Sequence, residues 1–294
     1  DLIKDEVKVE KIYLMKYSII LFNIPRFILL FLKFRYFFKG KLFLNDHTCW
    51  MAGRNTKSNI LILHHIDSSY SPFFSKIYQK FNHFALMINK RRFDKTIVVS
   101  SYWKLKLTSL GFNNIHVIYN SFDLSKFIIN ENEKKIFRTK YFLDDRPIVY
   151  LGNALIKKGV IESFKELKEM DVNFVTSGTE KIKLTCLNLN LSCREYLTLL
   201  SISDIVITMS KFSEGWNRTA HEATLLETTV IGSGKGGMKE LIEKSNQIIC
   251  PNFQNLKSVV LDVLLNKNNH KPNKLFASSL NLEYFKNEWL KILK

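Results

Sequence analysis

The stretch SEGWNRTAHEATLLETTVIGSGKGGMKEL, residues 213–241, decides the fold. Its two carboxylates Glu214 and Glu222 are separated by seven residues. The pattern predicts a helix over 217–227, with Glu214 at its entrance and Glu222 about a turn and a half inside. Between them lie the amides of Gly215, Trp216 and Asn217 at a helix N-terminus. Unsatisfied N–H groups and the helix dipole make such a place suited to phosphate. Arg218 in the first turn opposes the dipole, which fits an anion bound there. A strand follows over 229–231, then the turn GSGKGG (232–237), then a helix from Met238. The turn formally contains GxGxxG. A dinucleotide fingerprint, however, lies near the start of its domain and is followed about 20 residues on by an acidic ribose ligand. Here the next strand ends in Cys250, Pro251 and Asn252, and no Gly-Lys-Ser/Thr of a P-loop is present. The turn therefore reads as glycines that let a backbone approach a ligand closely.

Outward from this stretch, short apolar runs alternate with helical patterns. Toward the amino terminus a strand over 204–209 follows a helix over 194–201. Before these come a strand over 173–176 leading to Ser177 and Gly178, a helix over 160–170, and a strand over 148–151 ending at Gly152. A last strand covers 247–250. Such alternation predicts an α/β, doubly wound parallel sheet, with ligands beyond the carboxyl ends of the strands. The loops after Leu151, Thr176, Met209 and Ile231 are where chemistry is expected. The first half repeats the pattern, with strands over 41–44, 59–63, 96–99 and 115–119 and a helix over 101–110 stopped at Gly111. Residues 127–145 are polar and strand-free and read as a linker. The organisation expected is an N-terminal domain (1–128), a linker (129–146), a second domain (147–272) and a closing helix (273–294).

Composition is globular, 46% hydrophobic and 24% charged. The 44 Lys and Arg against 27 Asp and Glu give a net charge of +17, which favours polyanionic partners. The charge is spread along the chain, and neither an RNP-type aromatic motif nor zinc-finger spacing is present, so no nucleic-acid partner is expected. Four cysteines without a CxxC pair fit a reducing compartment. Seven histidines lack metal spacing, and no metal is expected. The apolar stretch 17–38 carries Asn23, Pro25 and Arg26 at its centre. A central arginine costs a spanning helix several kcal/mol, so a bent amphipathic segment, buried or lying on a membrane surface, is the reading.

The segment EGWNRTAHEATLLETTVIGSGKGGMKELI resembles the signature of the retaining, group-1 glycosyltransferase family, with its E-x7-E, Val-Ile strand, Gly-Gly turn and Glu-Leu-Ile. Three further matches stand in family order: IHVIYNSFDLSKF at the exit of the first domain, IVYLGNALIKKGV at a Gly-Arg-x-x-x-x-Lys-Gly loop, and SISDIVITMS at a strand. Together they span about residues 96–249.

The resemblance implies a GT-B fold, two Rossmann-like domains facing a cleft. It implies a metal-independent hexosyltransferase, without cofactor, that moves a sugar from a nucleotide-diphosphate sugar to a glycan or lipid-linked acceptor of a cell-surface polysaccharide. By position, Glu222 binds the ribose, Glu214 the transferred sugar, and Lys158 the diphosphate, helped by the amides of Gly215, Trp216 and Asn217. Gly152, Asn153, Gly178 and Arg218 complete the donor site. NILILHHIDSS resembles the family strand that ends in a histidine near the sugar; His65 with Asp67 is the expected pair, with His64 as the alternative register. Where the family has Arg, this chain has Asn153. That change weakens leaving-group stabilisation by ~2–4 kcal/mol unless Arg218 or Lys157 supplies the charge. No strand with a glycine-rich loop precedes Lys8, so the expectation is an N-terminal domain that lacks its first strand or diverges from the family. A cytoplasmic enzyme, peripheral on an anionic inner membrane face, is expected. A sugar-nucleotide epimerase and a degraded GT-B binding protein are the competing readings.

Overall fold

The computed structural model describes residues 42–45, 58–66, 69 and 73–294. The apolar stretch 17–38 and the expected catalytic Asp67 lie outside these residues. Two compact units are formed, one from residues up to Ile118 with Lys286–Lys294, the other from Tyr119–Phe285.

The first unit is a parallel sheet of β1 (Leu42–Asn45), β2 (Ser58–Leu63), β3 (Lys95–Val98) and β4 (Ile115–Val117), in that spatial order. Helix α1 (Phe73–Asn89) connects β2 to β3, and α2 (Ser101–Ser109) connects β3 to β4. Because each parallel crossover is right-handed, both helices cover one face. Leu61, Leu63, Leu86, Val98, Trp103 and Leu107 pack between them and the sheet. Ser100 caps α2 by accepting from the Trp103 N–H. Gly111, at φ +79°, turns the chain beyond its end.

The second unit begins with α3 (Glu131–Lys140). The stretch read as a linker thus carries a helix, started by a capping box in which Asn130 and Glu133 satisfy each other's backbone N–H groups. Arg194 then ties this helix down, donating to Glu133 and to the carbonyls of Lys126 and Ile128. Next come β5 (Ile148–Asn153), α4 (Val160–Leu167), β6 (Asn173–Ser177), β7 (Leu187–Leu189), α5 (Cys193–Ile202), β8 (Ile205–Thr208), α6 (Arg218–Leu225), β9 (Thr229–Gly232), α7 (Met238–Lys244), β10 (Ile248–Ile249), α8 (Leu256–Leu265) and α9 (Leu275–Ser279); α10 (Leu282–Leu293) starts in this unit and ends in the first. The closing stretch 276–293 is therefore two helices rather than one, broken around Leu280.

The six strands are parallel, in the order β10-β9-β8-β5-β6-β7. The chain winds outward from β5 through β6 to β7, returns to β8 beside β5, and then winds the other way. The order reverses between β5 and β8, and that switch point opens a crevice at their carboxyl ends. Val149, Leu151, Val160, Leu167, Ile205, Ile207 and Val260 fill the core, each at most 2% exposed. The strands are apolar on both faces because helices cover both.

Candidate functional site

The loop leaving β8 carries Ser210 and Glu214, and the glycine turn after β9 supports it from behind. Glu214 pairs with Gly236. The Gly237 N–H donates to the Glu214 carbonyl at 2.8 Å, and the Glu214 N–H to the Lys235 carbonyl at 3.3 Å. Gly236 has φ +70°, and a Cβ there would lie 2.4 Å from the Glu214 carbonyl oxygen. The close approach expected of this turn is thus made to the backbone of Glu214 itself. The Glu214 carboxylate is buried. Its Oε1 accepts from Lys158 Nζ at 2.7 Å, from Asn217 Nδ2 at 3.2 Å and from the Ser210 hydroxyl.

Asn217 is bound on two sides, its Oδ1 capping α6 through the Ala220 N–H at 2.8 Å while its Nδ2 reaches Glu214. Gly215, Trp216 and Asn217 are buried residues, and their backbone N–H groups donate to no acceptor among the described residues. Three unpaired amide donors at a helix start form a ready anion seat. Glu222, one turn further on, is 9% exposed. Burial raises its pKa, against the opposing pull of Arg218 and a hydrogen bond from Tyr196. Arg218 is solvent-facing, 3.4 Å from Glu222 Oε1 and 5.3 Å from the Phe122 ring centre.

Asn153, Ser177, Gly178, Tyr196, Arg218 and Glu222 line one pocket of about 380 Å³ beyond the ends of β5 and β6. Gly152 (φ +90°) and Gly178 (φ +83°) turn the chain away at those ends. The Tyr150 hydroxyl and Ser177 Oγ lie 2.6 Å apart, one donating to the other, and the hydroxyl left free to donate does so to Asn153 Oδ1, which lies 3.3 Å from Tyr150 and 3.2 Å from Ser177. Lys158 ends a short 3-10 turn (Ile156–Lys158) before Gly159. A Cβ at Gly159 would lie 2.2 Å from the Met209 carbonyl, so the lysine loop abuts the Glu214 loop through a glycine. Of the two cations considered as substitutes for an arginine at Asn153, Arg218 lines the pocket. Lys157 instead sits 5.1 Å over the Phe212 ring. In the first unit His64 and His65 are exposed just beyond β2. No group of three metal-ligating side chains occurs among the described residues.

In structure the chain is similar to Anabaena HepE in complex with UDP-glucose, with a TM-score of 0.69 at 16% identity over 80% of this chain and 72% of that one. The fold is of the GT-B class. It is similar too to a sucrose-phosphate synthase from Thermosynechococcus elongatus (TM-score 0.75, 14% identity, 97% and 81% covered). A third likeness is to a glycosyltransferase from Rickettsia africae (TM-score 0.66, 17% identity, 98% and 85% covered). At these identities the likeness is one of fold. No family model matches, and no curated protein matches by sequence.

Within this GT-B unit, several residues were missed by the sequence reading. Ser210, which ends the SISDIVITMS motif, holds the Glu214 carboxylate. Tyr150 and Ser177 orient Asn153, and Tyr196 reaches Glu222. Tyr150 had no signal beyond a β-strand aromatic, because its shortest hydrogen bond, to Ser177, reaches the neighbouring strand.

Proposed function

We propose that this chain is a retaining glycosyltransferase of the group-1 type, transferring a sugar from a nucleotide-diphosphate sugar to a glycan or lipid-linked acceptor in cell-surface polysaccharide synthesis. The observation that carries the reading is the pocket beyond the ends of β5 and β6, where the buried Glu222 carboxylate and the solvent-facing Arg218 guanidinium lie together on the first turns of α6. Glu222 accepts from the ribose hydroxyls, and the amides of Gly215, Trp216 and Asn217 with Lys158 and Arg218 take the diphosphate. Glu214, held by Lys158, Asn217 and Ser210, contacts the transferred sugar. Cationic and amide donors aimed at the leaving diphosphate stabilise the charge that develops on it, so the reaction proceeds without a metal. Retention follows from attack on the face the diphosphate leaves. His65 and Asp67 of the first unit serve the reacting sugar.

The protein acts in the cytoplasm, docked on an anionic inner membrane face. Residues 68–122 contain eight Lys or Arg and one acid, Asp94. On α1 and α2, Lys80, Lys104 and Lys106 stand exposed beside Phe84 (62% exposed) and Leu105 (72%). Basic residues around apolar side chains suit a negative bilayer. Among the described residues no helix is long and apolar enough to cross a membrane.

A thermal-shift screen across UDP-, GDP- and ADP-sugars tests the donor, since a ligand of the folded state raises the melting temperature by mass action. No shift with any of the three rejects the donor site. One observation favours a second reading, a binding protein without turnover: Asn153 is uncharged, and its Oδ1 is engaged by the Tyr150–Ser177 hydroxyl pair. Donor binding with neither hydrolysis nor transfer to any acceptor selects it.

A further inference from the structure

One buried imidazole joins the anion seat to the C-terminal segment. His221 is 0% exposed. Its Nδ1 lies 3.1 Å from Trp216 Nε1, and its Nε2 lies 2.9 Å from the Ala277 carbonyl of α9. An indole N–H only donates and a carbonyl only accepts, so the ring is neutral with its proton on Nε2. Burial acts in the same direction, lowering the pKa to about 4. Phe122 closes one side, edge-on at 4.7 Å.

The peptide groups that His221 controls carry the unsatisfied donors. Trp216 precedes the helix, so no i to i−4 bond orients it. Gly237 anchors the loop on one side through the Glu214 carbonyl, and the Asn217 cap anchors it on the other. Between those anchors the chain is held by the Trp216 side chain. The indole packs 5.1 Å from Tyr119 and 6.5 Å from Phe276, which sets its plane. The directional bond to His221 sets its rotation within that plane, and with it the direction of the adjoining N–H groups.

We propose that His221 is a positioning residue that clamps the Trp216 loop so that the amides of residues 215–217 converge on the donor's diphosphate. This rests on the donor-site reading of α6. Ala277 is the fixed point of the clamp, which makes α9 part of the donor site although it lines none of the pocket.

The test separates diphosphate from nucleoside recognition by calorimetric titration of the full chain with uridine and UDP, guanosine and GDP, and adenosine and ADP. His221→Phe fills the space without either hydrogen bond. It lowers the ratio of diphosphate to nucleoside affinity by about ten-fold, the worth of one well-placed buried hydrogen bond. Trp216→Phe keeps an aromatic ring while removing the indole N–H together with the pyrrole portion that carries it, and it lowers the ratio in the same direction should the His221 variant fail to fold. His221→Gln, which retains one donor and one acceptor, recovers part of the loss. An unchanged ratio in a folded His221→Phe or Trp216→Phe protein overturns the clamp, as does an equal loss of nucleoside and diphosphate. If the unaltered chain binds none of the three diphosphates, the donor-site reading falls and the clamp with it.

Discussion

Gly236→Ala tests the support of Glu214 without assuming any substrate. Alanine at φ +70° occupies the left-handed region, at a cost of about 1–2 kcal/mol. Its Cβ would meet the Glu214 carbonyl oxygen at 2.4 Å and the Glu214 nitrogen at 2.6 Å, both backbone atoms that cannot swing aside. The strand-like pairing must open, which removes the bonds from Gly237 to Glu214 and from Glu214 to Lys235. At about 1 kcal/mol each, the total is about 3–4 kcal/mol. With about 2–4 °C per kcal/mol for a unit of this size, the melting temperature of the second unit falls by about 6–16 °C. The assay is a melt followed by far-UV circular dichroism, beside Lys235→Ala, which keeps the backbone bonds and stays within about 2 °C because exposed side-chain changes are small. A melting temperature for Gly236→Ala within 2 °C of the unaltered protein would falsify the close approach and remove the glycine turn from the account of Glu214.

Three further outcomes follow from the same geometry. Glu222 has a raised pKa through burial, so donor affinity declines with falling pH from a point above the ordinary glutamate value of about 4.3, and Glu222→Gln flattens that decline in titrations between pH 7.5 and 5. The stability it contributes has the opposite sign, present at low pH and lost as pH rises through the raised value; a donor affinity independent of pH in the unaltered chain refutes the ribose role. Lys158→Met removes a cation from the Glu214 carboxylate, whose side chain is 7% exposed and which keeps Asn217 and Ser210, and costs about 2 kcal/mol of stability with a larger loss for UDP than for uridine, an outcome that parallel losses contradict. In co-sedimentation with anionic vesicles, Lys80, Lys104 and Lys106 changed together to Glu weaken binding by at least ~3 kcal/mol, at about 1 kcal/mol per basic residue; retention of binding sends the docking surface elsewhere.

Much of the second unit was legible in the amino-acid sequence. The strands at 148–151, 173–176, 204–209 and 229–231 were read within two residues of their ends, because a buried strand declares itself in a window of four to eight residues. Helix α3 escaped because it exposes most of its surface, with only Phe137 buried, so no apolar stripe marks it. The three-residue β7 is too short for periodicity to register.

Local sequence carried the alternation of strand and helix, the seven-residue spacing of Glu214 and Glu222, and the glycine stop at Gly111. Each is a property of neighbours along the chain, set by side-chain period and local backbone hydrogen bonding. That the loops after β5 and β8 meet came from the strand order of the folded sheet, a long-range choice that no local window contains. That choice brings Lys158 to Glu214 across 56 residues and Tyr150 to Ser177 across 27. It also turned two residues into something their types do not announce. Gly236 became the support of a carboxylate, and His221 became a neutral bridge, because buried polar groups must find their partners wherever the fold places them.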